Sequence, residues 1–201
     1  MTDFDTVSSR TVYTGHVLTL RVDEVRMPGG EVKDREVVEQ PGAVGIVALD
    51  EQDRVVFIRQ YRHPVREWLI EIPAGLLDVP EEKAYATAAR ELAEEVALTA
   101  RRWDVLVDLH MSPGLSTEAV RIYLARDLAP VPEADRHVGI DEEADLGVHR
   151  RPLDEAVAAV FTGEIDNALT VAGLLATAYA REHDWSTLRD VHTPWSARSD
   201  H

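Results

Sequence analysis

The chain has no cysteine among its 201 residues, so neither a disulfide bond nor a thiolate metal site can form. It has few basic residues: 21 Lys and Arg against 37 Asp and Glu, a formal net charge of −16. Nucleic-acid binding needs a basic surface, which this composition lacks. The sequence contains no apolar run long enough to span a membrane and residues 1–10 contain no apolar core of a secretory signal. We therefore expect a cytoplasmic protein that binds neither nucleic acid nor membrane.

A chain of this length can bury a sizeable core within one enzyme-sized domain. Residues 1–40 contain short alternating stretches and a Pro-Gly-Gly turn, which predict a small antiparallel β subdomain that must lean on the main body or on another subunit. The main domain is predicted over residues 41–185. A loose polar tail is predicted over 186–201, with Trp195 expected to dock. Buried strands are predicted at residues 43–49, 55–58, 103–109 and 120–126, and helices at 153–161, ending before Gly163, and at 168–182.

Three glutamates crowd one predicted helix. Glu91, Glu94 and Glu95 are three to four residues apart or adjacent, which puts them on one side of a helix, where like charges repel by about 0.2–0.5 kcal/mol per pair. A divalent cation would make this arrangement favourable, because hard cations such as Mg²⁺ prefer oxygen ligands and share them with substrate phosphates. The alternative is an acidic face in contact with solvent. The cluster therefore indicates metal-dependent phosphate chemistry.

The residues before the cluster form a strand, a loop and a helix start. Residues 72–82 begin as a short apolar run that breaks at Pro73 and Gly75. Asp78, or the pair at 81–82, is suited to a helix N-terminus, and Pro80 to a first turn. The pattern predicts a helix over residues 80–96 whose apolar residues lie opposite the glutamates.

This unit resembles the Nudix hydrolase signature. The matching positions are Gly75, Glu82, Arg90, Glu91, Leu92, Glu94, Glu95 and Leu98. Two departures stand out: six residues instead of five separate the glycine from the first glutamate, and Ala97 replaces the final glycine. In a left-handed helix cap, alanine would cost about 1 kcal/mol relative to glycine. Neither departure removes a metal ligand.

Within this family the sequence resembles bacterial ADP-ribose pyrophosphatases, and the resemblance spans residues 4–179. It is carried by residues 35–39, 59–64 and 71–78, and by a loop at 111–118 with Pro113 sixteen residues after Ala97; the alternative for this Pro-Gly pair is an ordinary tight turn. The resemblance implies an α/β/α sandwich around a mixed sheet, preceded by the small β subdomain. It also implies a homodimer with exchanged N-terminal strands, and hydrolysis of ADP-ribose, a nucleotide sugar, to AMP and ribose 5-phosphate.

Family roles carry over to specific residues. The Ala74 carbonyl and the carboxylates of Glu91 and Glu95 would hold Mg²⁺, with Mn²⁺ as an alternative, and Glu94 would be a further ligand and catalytic residue. The substrate-binding residues implied are Arg35, Glu36, Arg62, Glu71, Gly114 and Glu118. The first two would come from the partner subunit; the alternative for the arginine is a solvated strand residue. Arg90 is expected to orient a neighbouring carboxylate.

An acidic segment at residues 141–145 has two interpretations. Such runs usually form solvent-exposed loops, but the resemblance implies a carboxylate there that acts as the catalytic base. Glu143 aligns best with that role and Glu142 is the alternative. Two other functions stay open: a pyrophosphatase for another nucleoside diphosphate sugar, such as GDP-mannose, and a non-catalytic ADP-ribose sensor.

Overall fold

The computed structural model describes residues 4–136 and 147–196. Over these residues the chain forms three α-helices: α1 (Ala84–Val96), α2 (Leu153–Thr162) and α3 (Ala168–Glu182). The strands described there are β1 (Thr6–Thr14), β2 (Thr19–Arg26), β3 (Val32–Glu39), β4 (Ala43–Ala48), β5 (Arg54–Arg62), β6 (Glu67–Glu71), β7 (Ala74–Leu76), β8 (Leu98–His110), β9 (Ala119–Pro130), β10 (His149–Pro152) and β11 (Arg189–Asp190). None of these helices has the length and hydropathy needed to cross a membrane.

The chain divides into two compact units. The first takes in the chain as far as Gly42 together with Leu109–Val120, and the second takes in Ala43–Asp108 and the chain from Arg121 onward. The first unit therefore includes a segment that the sequence assigned to the main domain.

The first unit is built on the antiparallel sheet β1-β2-β3. Its segment from the middle of the chain joins the end of β3, because the Val38 N–H donates to the Leu115 carbonyl at 2.7 Å and the Thr117 N–H donates to the Val38 carbonyl at 3.0 Å. The buried Asp23 accepts hydrogen bonds from Ser9 at 2.6 Å and from Arg21 at 3.0 Å. The predicted N-terminal antiparallel strands are confirmed.

The second unit has helices on both faces of a buried strand. All six residues of β4 are buried, and Val44 and Ile46 pack in the core cluster that contains Leu92 of α1. The intervening residues face α3. A Cβ on Gly45 would lie 3.0 Å from a Leu169 methyl group, and one on Gly173 would lie 2.9 Å from Val47. Two glycines thus allow strand and helix to approach closely, and the predicted α/β/α layering is present.

Two sheets run through this unit. One has five strands in the order β11-β8-β9-β4-β7, and the other has three in the order β10-β5-β6. The strands predicted at residues 43–49, 55–58, 103–109 and 120–126 correspond to β4, β5, β8 and β9. Strand β4 matches its predicted range closely, and β5, β8 and β9 extend beyond theirs because flanking residues also pair in the sheets.

The helices differ in how their ends are capped. Helix α3 has the predicted bounds, and its N-cap Asn167 accepts a hydrogen bond from the Thr170 N–H at 2.9 Å. Helix α2 ends at Thr162, and its C-cap Gly163 has a left-handed φ of 78°. The predicted start of α1 at residue 80 is wrong, since the helix begins at Ala84 after an N-cap Lys83 that makes no side-chain cap. The left-handed φ of 64° at Glu81 interrupts the helical path.

The C-terminal segment is ordered as far as it is described, so the predicted loose tail is wrong for residues 186–196. Strand β11 pairs with β8, and Arg189 donates to Asp108 at 2.9 Å. The Arg121 guanidinium lies 5.0 Å from the ring centre of Trp195, which packs against the core cluster. The predicted docking of Trp195 is confirmed.

Candidate active site

Strand β7 supplies the backbone of the candidate metal site. The Ile46 N–H donates to the Pro73 carbonyl at 2.8 Å, and Ala74 is paired with Gly45, so β4 holds this segment in place. The Ala74 N–H donates to Oε2 of Glu95 at 3.0 Å. The structure therefore brings together Ala74 and Glu95, two of the predicted metal ligands.

Gly75 allows Glu91 to lie against the same backbone. A Cβ built on Gly75 would overlap the carboxyl group and Cγ of Glu91, so a larger residue would displace that carboxylate. The Glu91 side chain is only 13% exposed. On the opposite face of α1, Ala88 and Leu92 are completely buried in the core. The amphipathic pattern thus orients α1 so that the third predicted ligand faces β7.

Arg90 connects the carboxylates. It donates to Glu91 and to Glu94 at 2.8 Å each, and to Glu82 at 3.1 Å. Its hydrogen bond to Glu82 is the main reason that the pKa of Arg90 is raised. In turn, hydrogen bonds from Arg90 and then from Thr87 lower the pKa of Glu82. Glu82 thus binds Arg90 instead of capping the helix, and Arg90 orients carboxylates as expected.

The donor set fits a hard divalent cation. Four carboxylates, those of Glu82, Glu91, Glu94 and Glu95, accompany one guanidinium, an excess of three negative charges. Carboxylate and carbonyl oxygens are the ligands that Mg²⁺ and Mn²⁺ prefer. Within residues 4–136 and 147–196, no three acidic or histidine side chains are already arranged around one metal position. A cation would therefore compete with the hydrogen bonds from Arg90 and from the Ala74 N–H.

Arg62 and Glu71 form a bidentate pair across β5 and β6. Nε of Arg62 donates to Oε1 of Glu71 at 2.9 Å, and Nη2 donates to Oε2 at 2.6 Å. Glu71 is 2% exposed, whereas the arginine side chain is 41% exposed. The buried carboxylate fixes the plane of an accessible guanidinium, a geometry suited to recognising an anion. These two predicted substrate-binding residues are therefore in direct contact.

The other four predicted substrate-binding residues belong to the first unit. Arg35 and Glu36 are exposed on β3, and Arg35 donates to the Asp34 carbonyl at 2.9 Å. Gly114 and Glu118 lie in the loop between β8 and β9, which is hydrogen-bonded to the end of β3. Burial raises the pKa of Glu118, while a hydrogen bond from Gln40 opposes this effect. Loop and strand are held together through Gln40, which also contacts Ser116 at 3.4 Å.

Comparison with known proteins identifies the family. Residues 39–169 match the NUDIX domain, and residues 4–38 match the nucleoside diphosphate sugar hydrolase N-terminal domain. The chain belongs to the Nudix family. The residues that resemble the Nudix signature, Gly75 on β7 and Glu91, Glu94 and Glu95 on α1, lie within the matched range.

Known relatives align with most of the length of this Nudix protein. It is 47% identical over 196 residues to an ADP-ribose pyrophosphatase from Mycobacterium tuberculosis, covering 98% of this chain and 93% of the relative. It is 33% identical to an ADP-ribose pyrophosphatase from Bacillus subtilis, covering 82% and 87%. A crystal structure of an ADP compounds hydrolase superposes with a TM-score of 0.77 at 24% identity, covering 91% of this chain and 97% of the other. This likeness confirms the predicted fold.

Both departures from the Nudix signature are visible in the structure. Ala97 caps α1 in the left-handed conformation, with φ 53° and ψ 40°, so it occupies the conformation for which glycine is favoured. The six-residue spacing falls in the loop that contains Glu81 with its positive φ.

Glu143 and Glu142, the predicted base and its alternative, lie outside the described residues. Sequence reasoning missed Thr87 and Thr170, neutral residues that bind Glu82 and the Ile72 N–H. It also missed Gln40, which binds Glu118 in the first unit. Only a capping pattern at Asn167 and Thr170 could have drawn attention to one of them.

Proposed function

We propose that the protein hydrolyses the pyrophosphate bond of ADP-ribose to AMP and ribose 5-phosphate with Mg²⁺, for which Mn²⁺ can substitute. The observation that carries this proposal is the placement of Glu91 and Glu95 against the backbone of β7 at Gly75 and Ala74. The high identity to a named ADP-ribose pyrophosphatase supports the choice of substrate.

In this proposal the chain's own residues divide the work. The Ala74 carbonyl, Glu91 and Glu95 hold the cation, and Glu94 is an additional ligand. Bound there, the cation would neutralise charge that develops on the phosphoryl oxygens. Arg90 restricts the rotamers of Glu91 and Glu94 through its two 2.8 Å hydrogen bonds.

Substrate binding and proton transfer involve separate residues. Arg62, held by Glu71, presents a fixed guanidinium to the nucleotide. Gly114 and Glu118 are further substrate-binding residues in this proposal. Glu143 takes the proton from the attacking water, and Glu142 is the alternative base.

We also propose a homodimer in which Arg35 and Glu36 of one subunit complete the pocket of the other. Every residue of β1 is exposed, including Tyr13 at 60%, so this edge strand and its apolar side chains are available to a second copy. Mixing two inactive variants, Arg35→Ala and Glu95→Gln, tests this arrangement. Heterodimers would contain one intact site, so random reassortment should restore about a quarter of wild-type activity in a two-fold dimer. Absence of any recovery, or a monomeric active enzyme in sedimentation, would contradict the shared site.

Product analysis with a panel of nucleotide sugars tests the reaction. ADP-ribose should give AMP and ribose 5-phosphate in the presence of Mg²⁺, and little product with EDTA. Faster hydrolysis of GDP-mannose would favour the alternative substrate class. Binding of ADP-ribose without turnover would favour a sensor. We place the protein in the cytoplasm, with which its lack of cysteine is compatible, and consider a small nucleotide sugar its ligand instead of nucleic acid.

A further inference from the structure

Thr170 lies at the start of α3, beside the corner that joins β6 to β7. The Ile72 N–H donates to Oγ1 of Thr170 at 3.0 Å, and that hydroxyl donates to Oδ1 of Asn167 at 3.0 Å. Both Ile72 and Thr170 are completely buried. Water therefore cannot replace the hydroxyl, and a buried N–H left without an acceptor is costly.

The corner has a single backbone donor. The corner consists of Ile72 and Pro73, the two residues between β6 and β7. Proline has no N–H. The donor of Ile72 is therefore the corner's only one, and Thr170 accepts it. The residues on either side carry the site: Glu71 comes directly before the corner, and Ala74 comes directly after it.

Helix α3 also packs tightly at this corner. A Cβ on Gly173 would lie 3.2 Å from the Ile72 side chain, so the glycine allows a close approach. From α1, Glu95 accepts the Ala74 N–H. A hydroxyl of α3 thus holds the corner at Ile72, and a carboxylate of α1 holds Ala74, the residue that follows it.

We propose that Thr170 is a positioning residue for the metal site. Its hydroxyl, aligned by Asn167, fixes the backbone at Ile72 and so places the Ala74 carbonyl and the Glu71 carboxylate. The role rests on the proposed metal-dependent hydrolysis, but Thr170 touches neither metal nor substrate.

The decisive variant is Thr170→Val, which removes the hydroxyl and keeps the β-branched shape. Thr177→Val is a matched control. Thr177 is equally buried on the same helix, but its hydroxyl donates to the Gly173 carbonyl at 2.7 Å, within the helix itself. Thr170→Ser retains the hydroxyl and should rescue function. Each variant is measured for thermal unfolding, for Mn²⁺ affinity from the signal of free Mn²⁺ in electron paramagnetic resonance, and for kcat and KM with ADP-ribose.

We expect both valine variants to melt at lower temperature than the wild type. Only Thr170→Val should weaken Mn²⁺ binding, by about 10–100-fold, the usual effect of losing a residue that orients a metal ligand, while Thr170→Ser should remain within about threefold of wild type. At limiting metal, kcat should fall in Thr170→Val more than KM for ADP-ribose rises. Thr177→Val should retain wild-type Mn²⁺ affinity.

Equal Mn²⁺ affinity in the two valine variants would overturn the proposal. If Thr170→Val does not fold, Asn167→Ala replaces it, because that change leaves the hydroxyl without its acceptor; unchanged Mn²⁺ affinity there would also overturn the proposal. A wild-type protein that binds Mn²⁺ but hydrolyses no nucleotide sugar would refute the proposed function alone. A wild-type protein that binds no Mn²⁺ would refute both.

Discussion

Replacing Ala97 with glycine should stabilise the protein. Ala97 is the C-cap of α1, with φ 53° and ψ 40°, and its N–H donates to the Ala93 carbonyl at 3.1 Å. An L-residue in this conformation costs about 1–2 kcal/mol. Glycine avoids that cost but loses about 0.5–1 kcal/mol more conformational entropy on folding. The difference predicts a gain of about 0.5–1 kcal/mol in the free energy of unfolding, or about 1–4 °C in the melting temperature of a chain this size.

Gly163 provides the reciprocal control. It caps α2 with a φ of 78°, and a Cβ added there would meet no atom within 4 Å. Gly163→Ala therefore introduces the backbone strain without a steric clash, and should lower the free energy of unfolding by about the amount that Ala97→Gly raises it.

Urea unfolding followed by circular dichroism measures both changes. Ala97→Gly should raise the midpoint at an unchanged slope and leave kcat unchanged, because the cap lies beyond the carboxylates of the helix. A midpoint equal to or below that of the wild type would refute the reasoning. In that case packing of the Ala97 methyl group would outweigh the strain of its backbone.

Three further predictions concern function and pH. Glu95→Gln should lower turnover by orders of magnitude and raise the Mg²⁺ concentration needed for activity, without lowering the melting temperature; near-normal activity at all Mg²⁺ concentrations would exclude its role as a ligand. Glu143→Gln should lower kcat strongly with little change in KM, and Glu142→Gln should be milder; a loss below about tenfold in both would exclude a base in this segment. Burial would raise the pKa of Asp108, but hydrogen bonds from Arg121 and Arg189 lower it overall. Its folded pKa lies below the unfolded value of about 3.9, so its contribution to stability is present above that pH and lost as pH falls through the folded pKa. Asp108→Asn should therefore flatten the acid loss of stability, measured by tryptophan fluorescence.

The elements with strong periodic patterns were predicted well from sequence. Residues 168–182 match α3 because Asn167 is a good cap and the apolar stripe is continuous. The start of α1 was misplaced by four residues. Proline and acids at 80–82 fit a first helical turn, but Glu82 binds Arg90 eight residues later instead, and helix-capping preferences do not encode that contact.

Strand β1 and the C-terminal segment show a second limit of prediction from sequence. Residues 6–14 are rich in valine and threonine, as strands often are, but every one of them is exposed. The strand therefore has no buried face that an alternation of apolar and polar residues could indicate. Arg189 and Trp195 sit in a polar sequence, and their order depends on Asp108 and Arg121 from distant strands.

The carboxylate cluster of α1 is predictable from sequence because its charge and spacing repeat a signature. Thr170 is not, because one threonine in an apolar helix differs little from its neighbours. Its proposed role depends on a contact with Ile72, 98 positions away, and no pattern within either segment encodes that contact.

The hydrogen bonds between Leu109–Val120 and β3 affect how this chain can be recombined with its homologues. Val38 exchanges two backbone hydrogen bonds with this segment, at Leu115 and Thr117, and Gln40 adds side-chain contacts. A chimera that takes only its first 42 residues from a homologue would pair a foreign strand with a native loop. The first 42 residues and Leu109–Val120 should be exchanged together. We expect hybrids that receive both segments to express well, and hybrids that receive only one of them not to do so.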